Sequence, residues 1–150
     1  MWIGIDVLAE DELDGLLSRP WFRAYVYDAD ELALADNLGE SRAREFLTGR
    51  FAAKEAALKV IGTGVGAGVT PRQVAVLRDE SGAPVVRLSQ AAARHARARG
   101  IDNLNVSITH KRGLVVAAAI GAPRFPPSPP VSPATAQGES CPTLLSPRNP

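Results

Sequence analysis

The stretch GRFAAKEAALKVIGTG, Gly49 to Gly64, combines two textures. Its alanines and long unbranched side chains favour a helix, and glycines at 62, 64, 66 and 68 end it. Arg50, Lys54, Glu55 and Lys59 are threaded among the small residues. One carboxylate among several cations, followed by a glycine-rich loop, suits a phosphate ligand accompanied by a metal ion. At roughly 100° per residue, Glu55 and Lys59 lie about 40° apart on one helix face. Thr48, Phe51 and Ala52 fall near that stripe, while Phe46, Ala53, Ala57 and Val60 fall toward the other side. The alanines let neighbouring elements come close, which sets Glu55 in a crevice. The plainer alternative is an exposed i,i+4 ion pair contributing a few tenths of a kcal/mol.

Working outward, Met1 to Val7 (MWIGIDV) is a β-prone run ending near an acid. Ile3, Ile5 and Val7 call for burial, and Gly4 permits close backbone approach. Asp6 beside a buried strand needs a partner, because an unpaired buried carboxylate is costly. An arginine, a turn or a metal would serve. With one cysteine and two histidines in the chain, a metal site here is oxygen-rich, which favours Mg²⁺. Two carboxylates do not fill an octahedral shell, so substrate phosphates and waters supply the rest. His110 follows NVSIT and precedes Lys111 and Arg112. It reads either as a solvated turn residue or, with those cations, as a phosphate contact. His95 reads as surface.

The remaining pattern gives the fold class. Glu10 to Leu17 reads as an amphipathic helix with Leu13, Leu16 and Leu17 on one stripe. Asp28 or Asp30 is placed to cap a short helix through Leu34, and Ser41 to cap the long one that runs to about Ile61. Gln73 to Arg78 and Val85 to Leu88 read as strands joined by a turn. Ser89 caps an alanine- and arginine-rich helix that stops near Gly100. Asn105 to Thr109 and Leu114 to Ile120 form a hairpin with His110 to Gly113 as its turn. A strand, then helices, then ββαββ is an α+β order with a mostly antiparallel sheet packed on a long central helix.

The chain has 150 residues and a net charge of +1, enough for one domain and ordinary for a soluble globular protein. Residues 1–40 carry ten acids against Arg19 and Arg23, whereas residues 41–120 carry thirteen Lys/Arg against five acids. The basic half therefore contains the candidate phosphate site. No apolar run approaches a membrane span of roughly 20 residues, and no signal peptide is seen. A cytoplasmic protein with neither membrane nor nucleic-acid partner is expected. After Gly121, nine of the twelve prolines lie among Ser, Thr and Ala. Residues 1–121 are expected to form the domain and 122–150 a disordered tail. Cys141 in that tail reads as an incidental thiol, and Leu144–Leu145 as a weak docking spot at most.

Three separated pieces, IGIDV (3–7), FAAKEAALKVIGTG (51–64) and VSITHKRGLVVAAAI (106–120), together resemble the holo-(acyl carrier protein) synthases, the small single-domain 4'-phosphopantetheinyl transferases. The resemblance covers residues 1–121. It implies Mg²⁺-dependent transfer of the phosphopantetheine arm of coenzyme A to a serine of an apo acyl carrier protein, releasing adenosine 3',5'-bisphosphate. It implies Asp6 and Glu55 as metal ligands, with Glu55 and Lys59 as the catalytic pair and Lys59 near the pyrophosphate. Arg50, His110 and the loop Gly62, Thr63 and Gly64 correspond to positions lining the coenzyme pocket. A homotrimer with sites between subunits is implied too. One departure stands out. The family usually follows the first motif with a glutamate and then basic residues that meet an acidic carrier, whereas this chain has Ala9, then Glu10, Asp11 and Glu12. That predicts a specialised carrier, for instance one from secondary metabolism. A non-catalytic coenzyme A- or nucleotide-binding subunit is the competing expectation.

Overall fold

The computed structural model describes residues 1–63 and 68–123. Gly64 of the predicted coenzyme loop and the proline-rich tail from Arg124 onward, with Cys141 and Leu144–Leu145, lie outside the described residues. In chain order the elements are β1 (Trp2–Ala9), α1 (Asp14–Leu17), α2 (Pro20–Val26), α3 (Ala29–Asp36), α4 (Glu40–Ile61), a 3₁₀ turn (Pro71–Gln73), β2 (Val74–Arg78), β3 (Pro84–Leu88), α5 (Gln90–Ala98), β4 (Asn103–Lys111) and β5 (Leu114–Ala122). β1, β5 and β4 form one antiparallel sheet in that order, and β2 and β3 form a separate antiparallel hairpin. The α+β reading with antiparallel strands against a long helix is what the molecule has. None of the helices among the described residues is long and apolar enough to cross a membrane.

Helix α4 lies across the three-stranded sheet through small side chains. Ala52, Ala53, Ala56 and Ala57 are completely buried, as are Val115, Ala117 and Ala119 of β5. A Cβ on Gly4 would strike the Ala56 carbonyl, and one on Gly121 would strike Val60. Helix and sheet backbones are thus in near contact, and a larger residue at either glycine would force them apart. The helix ends as its glycine predicts. Gly62 is left-handed (φ 74°), its N–H bonds to Lys59 O, and the Thr63 N–H bonds to Leu58 O, a Schellman closure.

Several boundaries differ from the expectation, each for a local reason. The helix read over Glu10–Leu17 is reduced to the single turn α1, because Glu12 turns back to accept the Ala9 N–H at 3.1 Å. A further helix, α2, begins with Pro20 in its first turn, where proline's missing N–H costs nothing. Asp28, of the two candidate caps, closes α3 in a capping box with Glu31. α4 starts after Gly39 instead of Ser41. The β4–β5 turn is shorter than His110–Gly113, since Arg112 (φ 53°) and Gly113 (φ 77°) make a two-residue connection. His110 therefore belongs to a strand.

Candidate functional site

Strand alternation decides which side of β1 meets α4. Gly4 and Leu8 are buried and Asp6 is nearly so, while Ile3, Ile5 and Val7 are 64%, 56% and 52% exposed. Within the single chain those three therefore lie on the outer face of β1 and not, as expected, in its core. Gly4 is the point of closest approach, since a Cβ there would meet the Ala56 carbonyl, and Asp6 and Leu8 share its face of the strand. Asp6 is thereby carried inward, against the one face of α4 that bears Glu55 and Lys59.

Lys59 Nζ donates to Asp6 Oδ1 at 2.8 Å and to the Ile5 carbonyl at 2.7 Å. Asp6 Oδ2 and Glu55 Oε1 are both buried and have no hydrogen-bond partner. Burial, and then the charge of Asp6, raise the Glu55 carboxyl above its ordinary value, with Lys59 opposing them. Each acceptor left bare in this way costs about 1–3 kcal/mol. Two such oxygens from separate elements, near enough for their charges to repel, form an arrangement that a divalent cation relieves. Among the described residues no group of three or more His, Cys, Asp or Glu side chains is placed to hold a metal. The protein thus offers two carboxylates, and the remaining ligands of a hard cation would come from phosphate and water.

Arg50 and His110 lie elsewhere. Arg50 is five residues before Glu55, so it points roughly 140° away around the helix, toward β4, the edge of the sheet opposite β1. There a cavity of about 370 Å³ is lined by Arg42, Glu45, Phe46, Arg50, Arg78 and His110, among others. The Arg50 guanidinium stacks on the Phe46 ring at 4.3 Å, with that of Arg78 also over the ring at 5.2 Å. Burial, reinforced by Arg78, lowers the Arg50 pKa to about 10, so it stays charged at neutral pH. Its Nε is buried without a partner. His110 reaches this cavity because Gly49 has no side chain; a Cβ there would lie 3.0 Å from His110 Nε2. Glu45 and Glu10 face its Nδ1 at 3.9 and 4.0 Å. The arrangement is an open, aromatic-backed cationic recess with Phe46 and Arg50 buried at its base, suited to an anionic group carrying a planar ring.

Within one chain, then, Asp6, Glu55 and Lys59 come together, Arg50 and His110 come together, and α4 separates the two groups. Gly62 and Thr63 close the end of α4; Thr63 Oγ1 is buried and unpartnered, and the Arg99 guanidinium covers Gly62. Arg42 and Arg78 escaped the sequence reading, and Phe46 was placed only as a residue of the helix's other side. Arg42, Phe46 and Arg50 recur every four positions on α4, a spacing that could have found them, whereas Arg78 is brought in by the fold alone. Lys54 is a correction of another kind. It does not join the phosphate face of α4 but is completely buried against Glu31.

The family model described as the 4'-phosphopantetheinyl transferase superfamily matches residues 3–119. A holo-[acyl-carrier-protein] synthase from Shewanella amazonensis is 36% identical over 118 residues, covering 79% of this chain and 94% of that protein. Another from Vibrio parahaemolyticus is 35% identical over 120 residues, with the same coverage. Among solved structures, a holo-(acyl-carrier-protein) synthase from Bacillus anthracis in complex with CoA (3',5'-ADP) matches with TM-score 0.69 and 30% identity, covering 82% of this chain and 96% of that one. Holo-ACP-synthase from Plasmodium yoelii matches with TM-score 0.72 and 26% identity, covering 83% and 95%.

Proposed function

The chain belongs to the 4'-phosphopantetheinyl transferase superfamily and is an enzyme of the holo-[acyl-carrier-protein] synthase kind, and from that premise we propose that it moves the 4'-phosphopantetheine of coenzyme A onto a serine of an apo acyl carrier protein with Mg²⁺. The observation that carries this reading is the pair of orphaned oxygens, Asp6 Oδ2 and Glu55 Oε1, beside the Lys59 ammonium.

Asp6 and Glu55 would hold the cation, which supplies neutralisation of the charge that grows on the departing phosphate. Lys59, half exposed and anchored on the Ile5 carbonyl, extends a fixed positive charge toward the same phosphates. The serine Oγ attacks the phosphorus that bears the pantetheine arm; the bond from that phosphorus to the bridging oxygen breaks, and adenosine 3',5'-bisphosphate departs. The serine proton passes to Glu55 or to water. The Arg50–His110 recess fits the adenosine bisphosphate end of the coenzyme, by charge and by the stacked ring at its base. Since α4 divides that recess from Asp6 and Glu55 in one chain, a complete site requires the recess of a neighbouring copy. The exposed apolar strip Ile3, Ile5, Val7 and Ile120 on the outer face of β1 and β5 supports self-association, and a homotrimer is the proposed assembly.

The carrier is proposed to be a specialised one, such as a secondary-metabolism carrier. Glu10, Asp11 and Glu12 are all exposed, and like charges there would slow encounter with an acidic carrier. Incubation with coenzyme A, Mg²⁺ and a panel of apo carriers, read by intact mass, tests the whole proposal. A phosphopantetheine mass gain on at least one carrier is expected, strongest on one with a basic or weakly acidic surface. Coenzyme A binding with no gain on any carrier would leave only the non-catalytic binding subunit. Full-rate modification of a strongly acidic carrier would remove the specialisation.

A further inference from the structure

Lys54, the lysine inside FAAKEA, takes no part in the chemistry above, yet it has the most complete set of partners of any buried charge in the described chain. Its ammonium donates to Glu31 Oε2 at 2.6 Å, to the Val74 carbonyl at 2.7 Å and to the Pro71 carbonyl at 3.3 Å. Those acceptors use every N–H bond an ammonium has. Glu31, equally buried, accepts the Val76 N–H on Oε1 at 2.9 Å and the Asp28 N–H on Oε2 at 2.8 Å. One ion pair therefore joins α4 to α3, to the 3₁₀ turn and to β2.

A buried ion pair is often matched or bettered in stability by apolar side chains of similar volume. What this one adds is direction: the Lys54 ammonium is held to three fixed acceptors on two other elements and a turn. Lys54 and Glu55 are consecutive on one helix, so any roll of α4 that shifts Lys54 from its acceptors carries Glu55 through the same angle. On the far side of the helix Ala56 is already against Gly4.

We propose that Lys54 is a positioning residue of the transferase: locked to Glu31, Pro71 and Val74, it sets the roll of α4 that turns Glu55 and Lys59 toward Asp6. The effect on turnover rests on the function proposed above; the locking itself does not.

The test uses the full chain with Lys54→Met, which keeps a long apolar stem, and the double variant Lys54→Met/Glu31→Leu, which replaces the pair. The single variant is expected to melt earlier and the double to recover much of that loss. Assayed where circular dichroism shows each folded, both keep the carrier KM within about twofold and lose about tenfold or more in kcat, as a misplaced reacting group does. Amide exchange over residues 55–59 and 71–78 accelerates in both. A double variant with wild-type kcat overturns the proposal, because stability would then be the pair's whole role. Unchanged exchange over those residues overturns it too, and that readout needs no substrate, so it decides the locking even if the wild-type chain modifies no carrier. Should Lys54→Met fail to fold, the double variant and Glu31→Gln carry the same comparisons.

Discussion

Glu55 has the clearest consequences of any single side chain. Glu55→Gln keeps the shape and removes the charge that a cation needs. Turnover is expected to fall by roughly 100-fold or more, the scale for losing a principal electrostatic stabiliser. Calorimetry of Mg²⁺ with coenzyme A should lose the metal-dependent heat. The raised carboxyl also fixes a pH signature. In the unfolded chain Glu55 ionises at its ordinary value, whereas in the fold it holds its proton to higher pH. The metal-free protein is therefore stabilised by this group at low pH and loses that contribution as pH rises through the folded pKa. Melting curves across that window should show the decline, and Glu55→Gln should flatten it. Metal affinity runs the other way, weakening as the carboxyl protonates on acidification. On the other flank, Arg50→Ala is expected to raise the coenzyme A KM about tenfold or more, since a charge-assisted hydrogen bond contributes ~1.5–3 kcal/mol, with little change in the carrier KM.

Between β1 and α4 the decisive feature is a missing side chain. Gly4→Ala would drive a Cβ into the Ala56 carbonyl, a backbone atom with no rotamer to escape through. The strand must move away from the helix, at a cost of about 1–3 kcal/mol, and Asp6 moves with it. Thermal unfolding should register the destabilisation, and activity should fall further than stability does. Gly49 has a milder version of the role, because its neighbour is a histidine ring able to turn aside. These elements were largely legible in the chain. The alanine-rich helix, its glycine stop, the closing hairpin and the α3 cap each follow from local rules. The roles of Ile3, Ile5 and Val7 did not, since alternation says that two faces differ and not which one meets the helix. The second helix was missed because its amphipathic signal is short and starts at a proline.

The proposed assembly is where the two halves of the candidate site would meet. With Asp6, Glu55 and Lys59 on the β1 flank of α4 and Arg50 and His110 on the β4 flank, mixing two impaired variants becomes informative. Assayed at limiting coenzyme A, where Arg50→Ala is slow, co-expressed Glu55→Gln and Arg50→Ala should exceed the summed activity of the two alone, since some sites will pair a sound carboxylate with a sound recess. No recovery at any mixing ratio would argue for a site inside one chain. Ile5→Lys places a charge in the middle of the exposed apolar strip. Light scattering should then report a smaller assembly, with carrier modification lost in parallel.

What the residue order fixed unaided was chemistry of short range: helix propensity, glycine termini, the cap, and the three quoted pieces whose resemblance named the family and its candidate residues. Those depend on neighbours a few positions apart, which a linear reading can see. The side of β1 that Asp6 occupies, the burial of Lys54 on Glu31 and the gathering of Arg42, Arg50, Arg78 and His110 into one recess depended on three-dimensional packing. Asp6 and Glu55, Lys54 and Glu31, and Arg50 with Arg78 and His110 are each tens of residues apart, and which of them meet is decided by packing that local propensity does not reach.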